Sequence, residues 1–379
     1  MNSIPEKDAR VIWFVIGGKR FAGAEKRLLH TAHLLSLKER FDVRVRLRRE
    51  LVCAAERSEP HGPIISDLRA QGRLQEVGCH PGASKIRKLF SVLYCWWSER
   101  RRYSGSLVHV ALVPPYFVPQ VLRARHLIYE VTGPYQAKKK MWRLLARICQ
   151  RKLSFIAVSP NVGRILKSTL GTEVVRSRKA EVLTRTRPFV DACVADCDVS
   201  EKGKTVVFAH RLTPKKNPVM VAKVFVRVAS DYPDWEFLIF GDGPLSAEVH
   251  EVVETARAGN VRFLGYSENL RSVLEKSLIF VSAISVSNYP SQSVFEALAC
   301  KNAILLADDV GQDERLVCEN NGHNAFITED SIEAGLRELL DDEMLLGKAE
   351  NSAEFFASNY SINDYMEEAG SFYAQDATQ

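Results

Sequence analysis

The sequence predicts an α/β chain of two doubly wound parallel-sheet domains in series. Three observations point there. Short apolar runs alternate with helical stripes of about 10–15 residues, the rhythm of a parallel sheet covered by helices. That rhythm stops at a polar, acidic segment, Pro188 to Lys204, and then restarts. A length of 379 residues also exceeds one ordinary domain, for which roughly 100–200 residues are typical.

Val11 to Ile16 is an unbroken apolar run ending at Gly17-Gly18, and reads as a buried parallel strand. Leu28, Leu29, Ala32 and Leu35 mark a helix from Ala24. Phe41 to Leu47 alternates as a strand, and Ile64 to Gln71 is a short helix. Ile86, Leu89, Phe90, Leu93 and Trp97 share one helix face. Leu107 to Val113, His126 to Val131 and Phe155 to Val158 are further strands, with a helical stripe through Met141, Leu144, Leu145 and Ile148. Beyond the linker, strands are expected at Thr205 to Ala209, Phe237 to Phe240, Val261 to Leu264, Ile279 to Ala283 and Ala303 to Ala307. Helices are expected at Pro218 to Ala229, Ala247 to Ala256 and Ser293 to Cys300. A ligand in such a fold belongs at the strand C-termini, in a cleft between the domains.

Composition narrows the class. Apolar residues make up 46% and charged residues 26%, which excludes disorder, collagen and a multispan membrane protein. Residues 1–187 carry 37 basic and 14 acidic side chains, whereas residues 188–379 carry 15 and 32. A basic first half suits an anionic partner surface. Met1 to Arg10 has no apolar core of a secretory leader, so a cytoplasmic chain is expected. Eight cysteines are too sparse for a disulfide scaffold, and Cys193 and Cys197 have no second pair to complete a zinc site. His30 and His33 lie one turn apart, but no third ligand stands near them in sequence.

Three segments of the second half could carry chemistry. Arg211-Leu-Thr-Pro-Lys-Lys216 follows a strand and precedes a helix. A guanidinium and an ammonium five residues apart suit a diphosphate, although a solvated basic loop would read the same. Gly241-Asp-Gly243-Pro244 also follows a strand, where glycines permit a tight turn or a close approach to a ligand. Ser285 to Glu296 runs from a strand through small residues into a helix. Its N–H groups near Ser291, Gln292, Ser293 and Val294 form an anion site. Glu296, placed in the first turn, could take a ribose diol or simply stabilise the helix start by about 0.3–1 kcal/mol.

The order RLTPKKNP, FGDGP, VRFLGY and SNYPSQSVFEALACKNAILLADDVG resembles the C-terminal domain of glycosyltransferase family 4. FAGAEKRLL, LIYEVTGPY and FIAVSPNV are similar to that family's first domain, and Asn359 onward to its final crossing helix. The resemblance implies a GT-B type fold: two doubly wound, Rossmann-like parallel-sheet domains facing a central cleft, with a C-terminal helix crossing back. It implies domains at 1–187 (basic, acceptor-binding, membrane-facing) and 205–358 (nucleotide-sugar-binding), a linker at 188–204 and the helix at 359–379. The implied reaction is transfer of a sugar, with retention, from a nucleoside diphosphate sugar. In that scheme Arg211 and Lys216 stabilise the leaving diphosphate, Glu296 binds the ribose, and the Ser291–Val294 backbone caps the phosphates. Gly23 lets the first domain's backbone approach them. Gly241 and Gly243 line the donor site, and the stretch ending at Gly265 holds the base. No cofactor or metal is expected, because Asp308-Asp309 stands in a different loop from any metal-binding acidic pair.

Two positions depart from the family pattern. Asn288 stands where a glutamate is usual beside the donor sugar, and Thr132 where a histidine is common. The retained Arg211, Lys216 and Glu296 favour an active enzyme. The alternatives are a catalytically impaired scaffold subunit that binds nucleotide sugars, or a GT-B-fold epimerase acting without an acceptor.

The first half adds two basic, apolar stretches. One holds Lys85, Arg87, Lys88, Trp96, Trp97 and Arg100 to Arg102; the other holds Lys138 to Lys140, Arg143, Arg147 and Arg151. Such stretches suit anionic lipid headgroups, each placed cation adding about 1 kcal/mol, or form a solvated rim around a core. No nucleic-acid-binding motif is visible. The expected acceptor is a membrane-associated glycan or lipid-linked molecule in polysaccharide or lipopolysaccharide assembly, at the cytoplasmic membrane face.

Overall fold

The computed structural model describes residues 10–17, 21, 23–38, 40–58, 61–77, 102–111, 124–132, 153–171, 181–185, 192–267, 269–285, 291–308 and 316–374. They divide into two units: Met1–Phe189 with Asn363–Gln379, and Val190–Ile362.

The first unit begins β1 (Arg10–Ile16), α1 (Gly23–Ser36), β2 (Phe41–Arg48), α2 (Arg49–Glu56), α3 (His61–Ala70) and β3 (Leu74–Val77). It continues with β4 (Leu107–Ala111), β5 (His126–Val131), β6 (Leu153–Ala157), α4 (Pro160–Leu170) and β7 (Glu181–Thr184). The seven strands are parallel in the order β3-β2-β1-β4-β5-β6-β7. Successive side chains of a strand point to opposite faces. On one face Trp13, Val15, Val108, Val110, Leu127, Tyr129 and Phe155 pack against Val162 and Leu166 of α4. The Ser159 hydroxyl starts that helix by accepting from Val162 N at 3.3 Å, with Pro160 at the first position.

The second unit contains β8 (Gly203–Ala209), α5 (Pro218–Ala229), β9 (Glu236–Phe240), α6 (Ser246–Ala256), β10 (Val261–Gly265) and α7 (Leu270–Leu274). It goes on through β11 (Ser277–Ile284), α8 (Gln292–Ala299), β12 (Ala303–Asp308), β13 (Gly322–Ala325), α9 (Glu329–Leu340) and α10 (Leu345–Asn359). Its six strands are parallel in the order β10-β9-β8-β11-β12-β13. Val206, Phe208, Phe237, Ile239, Ile279 and Val281 form one core with Val221, Val224 and Phe225 of α5. Val207, Ala209 and Phe280 form the other, with Phe295 and Leu298 of α8 and Phe356 of α10. The strand order reverses between β8 and β11, and a doubly wound sheet offers its ligand crevice at the strand C-termini beside such a reversal.

The described part of the segment read as a linker is built into this second unit. Ala195 N donates to Ala299 O at 2.8 Å, and Val199 is buried. The Lys202 ammonium is buried against three carbonyls, of Leu274, Ser277 and Cys300, at 3.0, 2.8 and 2.6 Å. Burial pushes its pKa down to about 8. The unit boundary therefore falls after Phe189 rather than after a free tether.

The last helix, α11 (Ile362–Ala374), returns to the first unit. Its buried residues Tyr365, Met366, Ala369, Gly370 and Tyr373 recur at the spacing of one helix face. The Tyr373 ring lies 5.8 Å from that of Phe14 and 6.5 Å from that of Phe41, on the opposite face of the first sheet from α4. Among the described residues no helix is long and apolar enough to cross a membrane.

Candidate functional site

At the C-terminal end of β8 the chain leaves the sheet at His210 and Arg211. Leu212, fully buried, anchors the loop behind them. One 3-10 turn, Pro214–Lys216, follows, and Asn217 in the left-handed region (φ 46°) turns the chain into α5. The Asn217 amide donates to Ala283 O at 3.2 Å and to Ser285 Oγ at 2.9 Å. Ser285 N donates to Lys215 O at 2.9 Å. The loop is thus pinned to the end of β11 on the far side of the reversal. Arg211 is exposed and Lys216 half-buried, so the loop presents both cations at the strand ends.

Gly241 and Gly243 follow β9. Gly241 has φ 139°, and a Cβ there would collide with the carbonyl of His210; a Cβ on Gly243 would collide with that of Leu212. Leu212 N donates to Asp242 O at 3.0 Å, and Leu245 N to Leu212 O at 3.1 Å. These glycines are needed because the loops after β8 and β9 touch backbone to backbone. That close backbone contact is a steric reason for glycine at both positions. Gly265 has open space around it but φ 70°, and its carbonyl accepts from Gly241 N at 2.8 Å. Its neighbours Leu264 and Tyr266 are exposed, Tyr266 at 71%.

Helix α8 begins at Gln292 with Ser291 as N-cap, and the Ser291 hydroxyl makes no capping bond. Val294 N donates to Ser291 O at 3.0 Å. The N–H groups of Gln292 and Ser293 are then those without an intrahelical acceptor. Ser291, Gln292 and Ser293 are half-buried, whereas the Val294 side chain is in the core. Glu296 is the fifth helical residue, not a member of the first turn as its sequence position suggests. A dipole effect confined to the first turn therefore does not explain a carboxylate there. Glu296 is half-buried, one turn into the helix.

His210 joins these parts, and the sequence reading passed over it. Its Nε2 is 2.9 Å from Ser282 Oγ on β11, and its Nδ1 is 3.0 Å from Ser293 Oγ on α8. Ser293 Oγ is in turn 3.1 Å from Ser291 Oγ. The ring is edge-on to Phe208 and Phe280. Burial, and then the Lys216 ammonium, hold its pKa well below the ordinary histidine value, so it is neutral. The available signal was a polar residue ending the apolar strand Thr-Val-Val-Phe-Ala.

In the first unit, Gly23 opens α1, exposed, with nothing near a hypothetical Cβ. Thr132 is half-buried just beyond β5. Asn288 lies outside the described residues. So do the basic stretches at 85–101 and 138–151.

A second polar group, also missed in the sequence, is buried in this unit. Glu130 accepts from Arg27, Nη1 at 3.2 Å and Nη2 closer. His109 Nε2 is 3.4 Å and Arg185 Nη2 3.7 Å from the same carboxylate. His109 Nδ1 is 2.7 Å from the Tyr373 hydroxyl of α11, and the Arg185 guanidinium lies 4.6 Å from the Tyr365 ring centre. Burial would raise the Glu130 carboxyl, but the Arg27 guanidinium and His109 hold it well below its ordinary value. Burial lowers His109. Among the described residues no cluster of three or more His, Cys, Asp or Glu is placed to hold a metal.

Comparison with known proteins finds similar chains. Residues 195–355 match the family described as Glycosyl transferases group 1. The chain is 22% identical over 292 residues, 76% of its length and 79% of the relative's, to a protein of Campylobacter jejuni. That relative is the GalNAc-alpha-(1->4)-GalNAc-alpha-(1->3)-diNAcBac-PP-undecaprenol alpha-1,4-N-acetyl-D-galactosaminyltransferase. The Anabaena Alr3699/HepE structure in complex with UDP-glucose aligns with a TM-score of 0.69 at 15% identity, over 96% of this chain and 99% of that one. The pneumococcal O-GlcNAc transferase GtfA, in complex with UDP and GlcNAc, aligns with a TM-score of 0.61 at 15% identity, over 76% of this chain and 60% of that one. The fold is of the GT-B type. The chain is a transferase.

Proposed function

We propose that this chain is a retaining glycosyltransferase of family 4. It moves a sugar from a nucleoside diphosphate sugar to a membrane-associated glycan or lipid-linked acceptor in polysaccharide or lipopolysaccharide assembly. The observation that carries the reading is a convergence at one sheet edge. The Arg211 and Lys216 loop is tied to the end of β11, and the uncapped start of α8 belongs to the same edge through His210. A diphosphate is recognised by that combination. Arg211 takes two oxygens in a fork, Lys216 adds a point charge, and the N–H groups of Gln292 and Ser293 lie at the positive end of the helix.

In the reaction the bond from the anomeric carbon to the diphosphate oxygen breaks. The acceptor hydroxyl oxygen bonds to that carbon on the face the diphosphate leaves, and its proton passes to the departing diphosphate. Arg211, Lys216 and the helix N–H groups meet the charge that grows on the leaving oxygen, without a metal. Glu296 accepts from a ribose hydroxyl, and the turn at Gly265 and Tyr266 receives the base. The UDP and UDP-glucose in solved neighbours support uridine donors as the first to test. The undecaprenol-linked glycan in the Campylobacter relative's name supports a lipid-linked acceptor. Peripheral attachment at the cytoplasmic membrane face, through the basic first half, fits such an acceptor.

The test is nucleotide release from UDP-, GDP- and ADP-sugars, with and without undecaprenyl-diphosphate-linked glycans. The anomeric configuration of the product is then read by NMR. Acceptor-dependent release with the donor's configuration kept is expected. An inverted product removes the retaining assignment. Nucleotide binding without release under any acceptor moves the chain to an inactive nucleotide-sugar-binding subunit.

A further inference from the structure

We propose that His210 is a positioning residue that keeps the first turn of α8 open for the donor diphosphate by drawing the Ser293 and Ser291 hydroxyls away from it. The proposal rests on the diphosphate reading of this site and adds a residue and a device to it.

An N-cap serine normally turns its hydroxyl onto the N–H of the second or third helical residue. Here those are Ser293 and Val294, and Ser291 caps neither. Its hydroxyl instead faces Ser293 Oγ at 3.1 Å, and Ser293 Oγ faces His210 Nδ1 at 3.0 Å. A neutral imidazole has one donor nitrogen and one acceptor nitrogen. With Nε2–H donated to Ser282 Oγ at 2.9 Å, Nδ1 accepts from the Ser293 hydroxyl. The Ser293 oxygen is then free to accept from the Ser291 hydroxyl. In this tautomer each hydroxyl points toward His210, and Ser291 Oγ makes no capping bond to α8. The N–H of Ser293, which an ordinary cap would occupy, stays with that of Gln292 for a ligand.

The ring is placed to do this from both sides. Its backbone carbonyl is held against Gly241, where no side chain fits. Phe208 and Phe280 fix the ring edge-on at 5.1 and 5.7 Å between centres. His210 directly precedes Arg211, so one strand end delivers both the cation and the group that keeps the facing helix turn uncapped.

The test is calorimetric titration of UDP, GDP and ADP into the full chain, following whichever diphosphate the wild type binds most tightly. His210→Phe keeps a ring between Phe208 and Phe280 and removes both hydrogen bonds. His210→Gln keeps a side-chain acceptor and donor. His210→Phe is expected to weaken diphosphate binding at least tenfold, with His210→Gln intermediate. The decisive comparison is His210→Phe/Ser291→Ala against Ser291→Ala alone, because without the competing hydroxyl the loss at His210 should shrink to less than threefold. In a folded protein, a His210→Phe that binds as well as wild type overturns the proposal. So does a tenfold loss that persists in the Ser291→Ala background, which marks a packing role. If the wild type binds no diphosphate while remaining folded, the diphosphate reading itself falls, and this proposal with it.

Discussion

The two sheets share one architecture and use buried polar residues in opposite ways. In the first, Glu130 and His109 sit within otherwise apolar strands, under Arg27 of α1 and the tyrosines of α11. Arg185, 2% exposed, closes the group without a hydrogen bond from its guanidinium among the described residues. In the second, the buried His210 stands just past a strand end, with an exposed arginine next to it. Position along the strand separates the two roles. Polar groups within strands, as His109 and Glu130 are, reach the elements packed over the sheet, and here they fasten α11. A polar group at the strand end can organise whatever binds at the edge.

The sharpest way to break this comparison is Glu130→Ala. It strips the carboxylate from the half-buried Arg27 and the buried Arg185, and removing one partner of a buried ion pair costs about 3–5 kcal/mol. Denaturant unfolding should show that loss, while diphosphate binding by the folded fraction stays at the wild-type level. Unchanged stability would mean that the buried group fastens nothing.

Acid probes the same group. The Glu130 carboxyl titrates well below its ordinary value of 4.5 in the fold. The unfolded chain takes up that proton first, so the stabilisation is complete above pH 4.5 and is lost as pH falls through the folded value. His109, lowered from 6.5, adds a loss of the same sign that begins below pH 6.5. The stability gap between wild type and Glu130→Gln should therefore narrow below pH 4.5. A constant gap would contradict the assignment.

The second unit should answer in turnover instead. Arg211→Ala and Lys216→Ala should each cut nucleotide release by about 10²–10³, the scale for losing one group that stabilises transition-state charge. For the exposed Arg211 the melting temperature should stay unchanged. The smallest expected effect is Tyr373→Phe. It removes one buried hydrogen bond to His109, worth about 1 kcal/mol, and should lower stability by that amount without touching nucleotide binding.

Most of the strands, though not their order, were legible in the sequence because parallel strands are apolar runs closed by glycine or serine, as at Val11–Ile16 and Phe155–Val158. Arg211, Lys216 and the Ser291 region were legible because each follows such a run. The rest was hidden for physical reasons. The amphipathic helix α2 follows β2 without a breaker, so Arg49–Glu56 carries no start signal. Segment 192–202 reads as polar, yet it packs through Ala195 and Val199, backbone hydrogen bonds and one lysine, too sparse a set to leave a periodicity. His109 and Glu130 are single polar residues inside apolar strands, and their partners come from residues 27, 185 and 373. Gly241 and Gly243 were found by type, but only the loop after β8 shows why they are glycines.

The central claim is that the strand ends beside the β8–β11 reversal hold a nucleoside diphosphate. The most direct measurement is the affinity of UDP, GDP and ADP for wild type and for Arg211→Ala, both verified as folded. One diphosphate binding to wild type, and at least tenfold more weakly to Arg211→Ala, is the predicted result. Equal affinity in the two proteins, or no binding of any diphosphate to wild type, would contradict it.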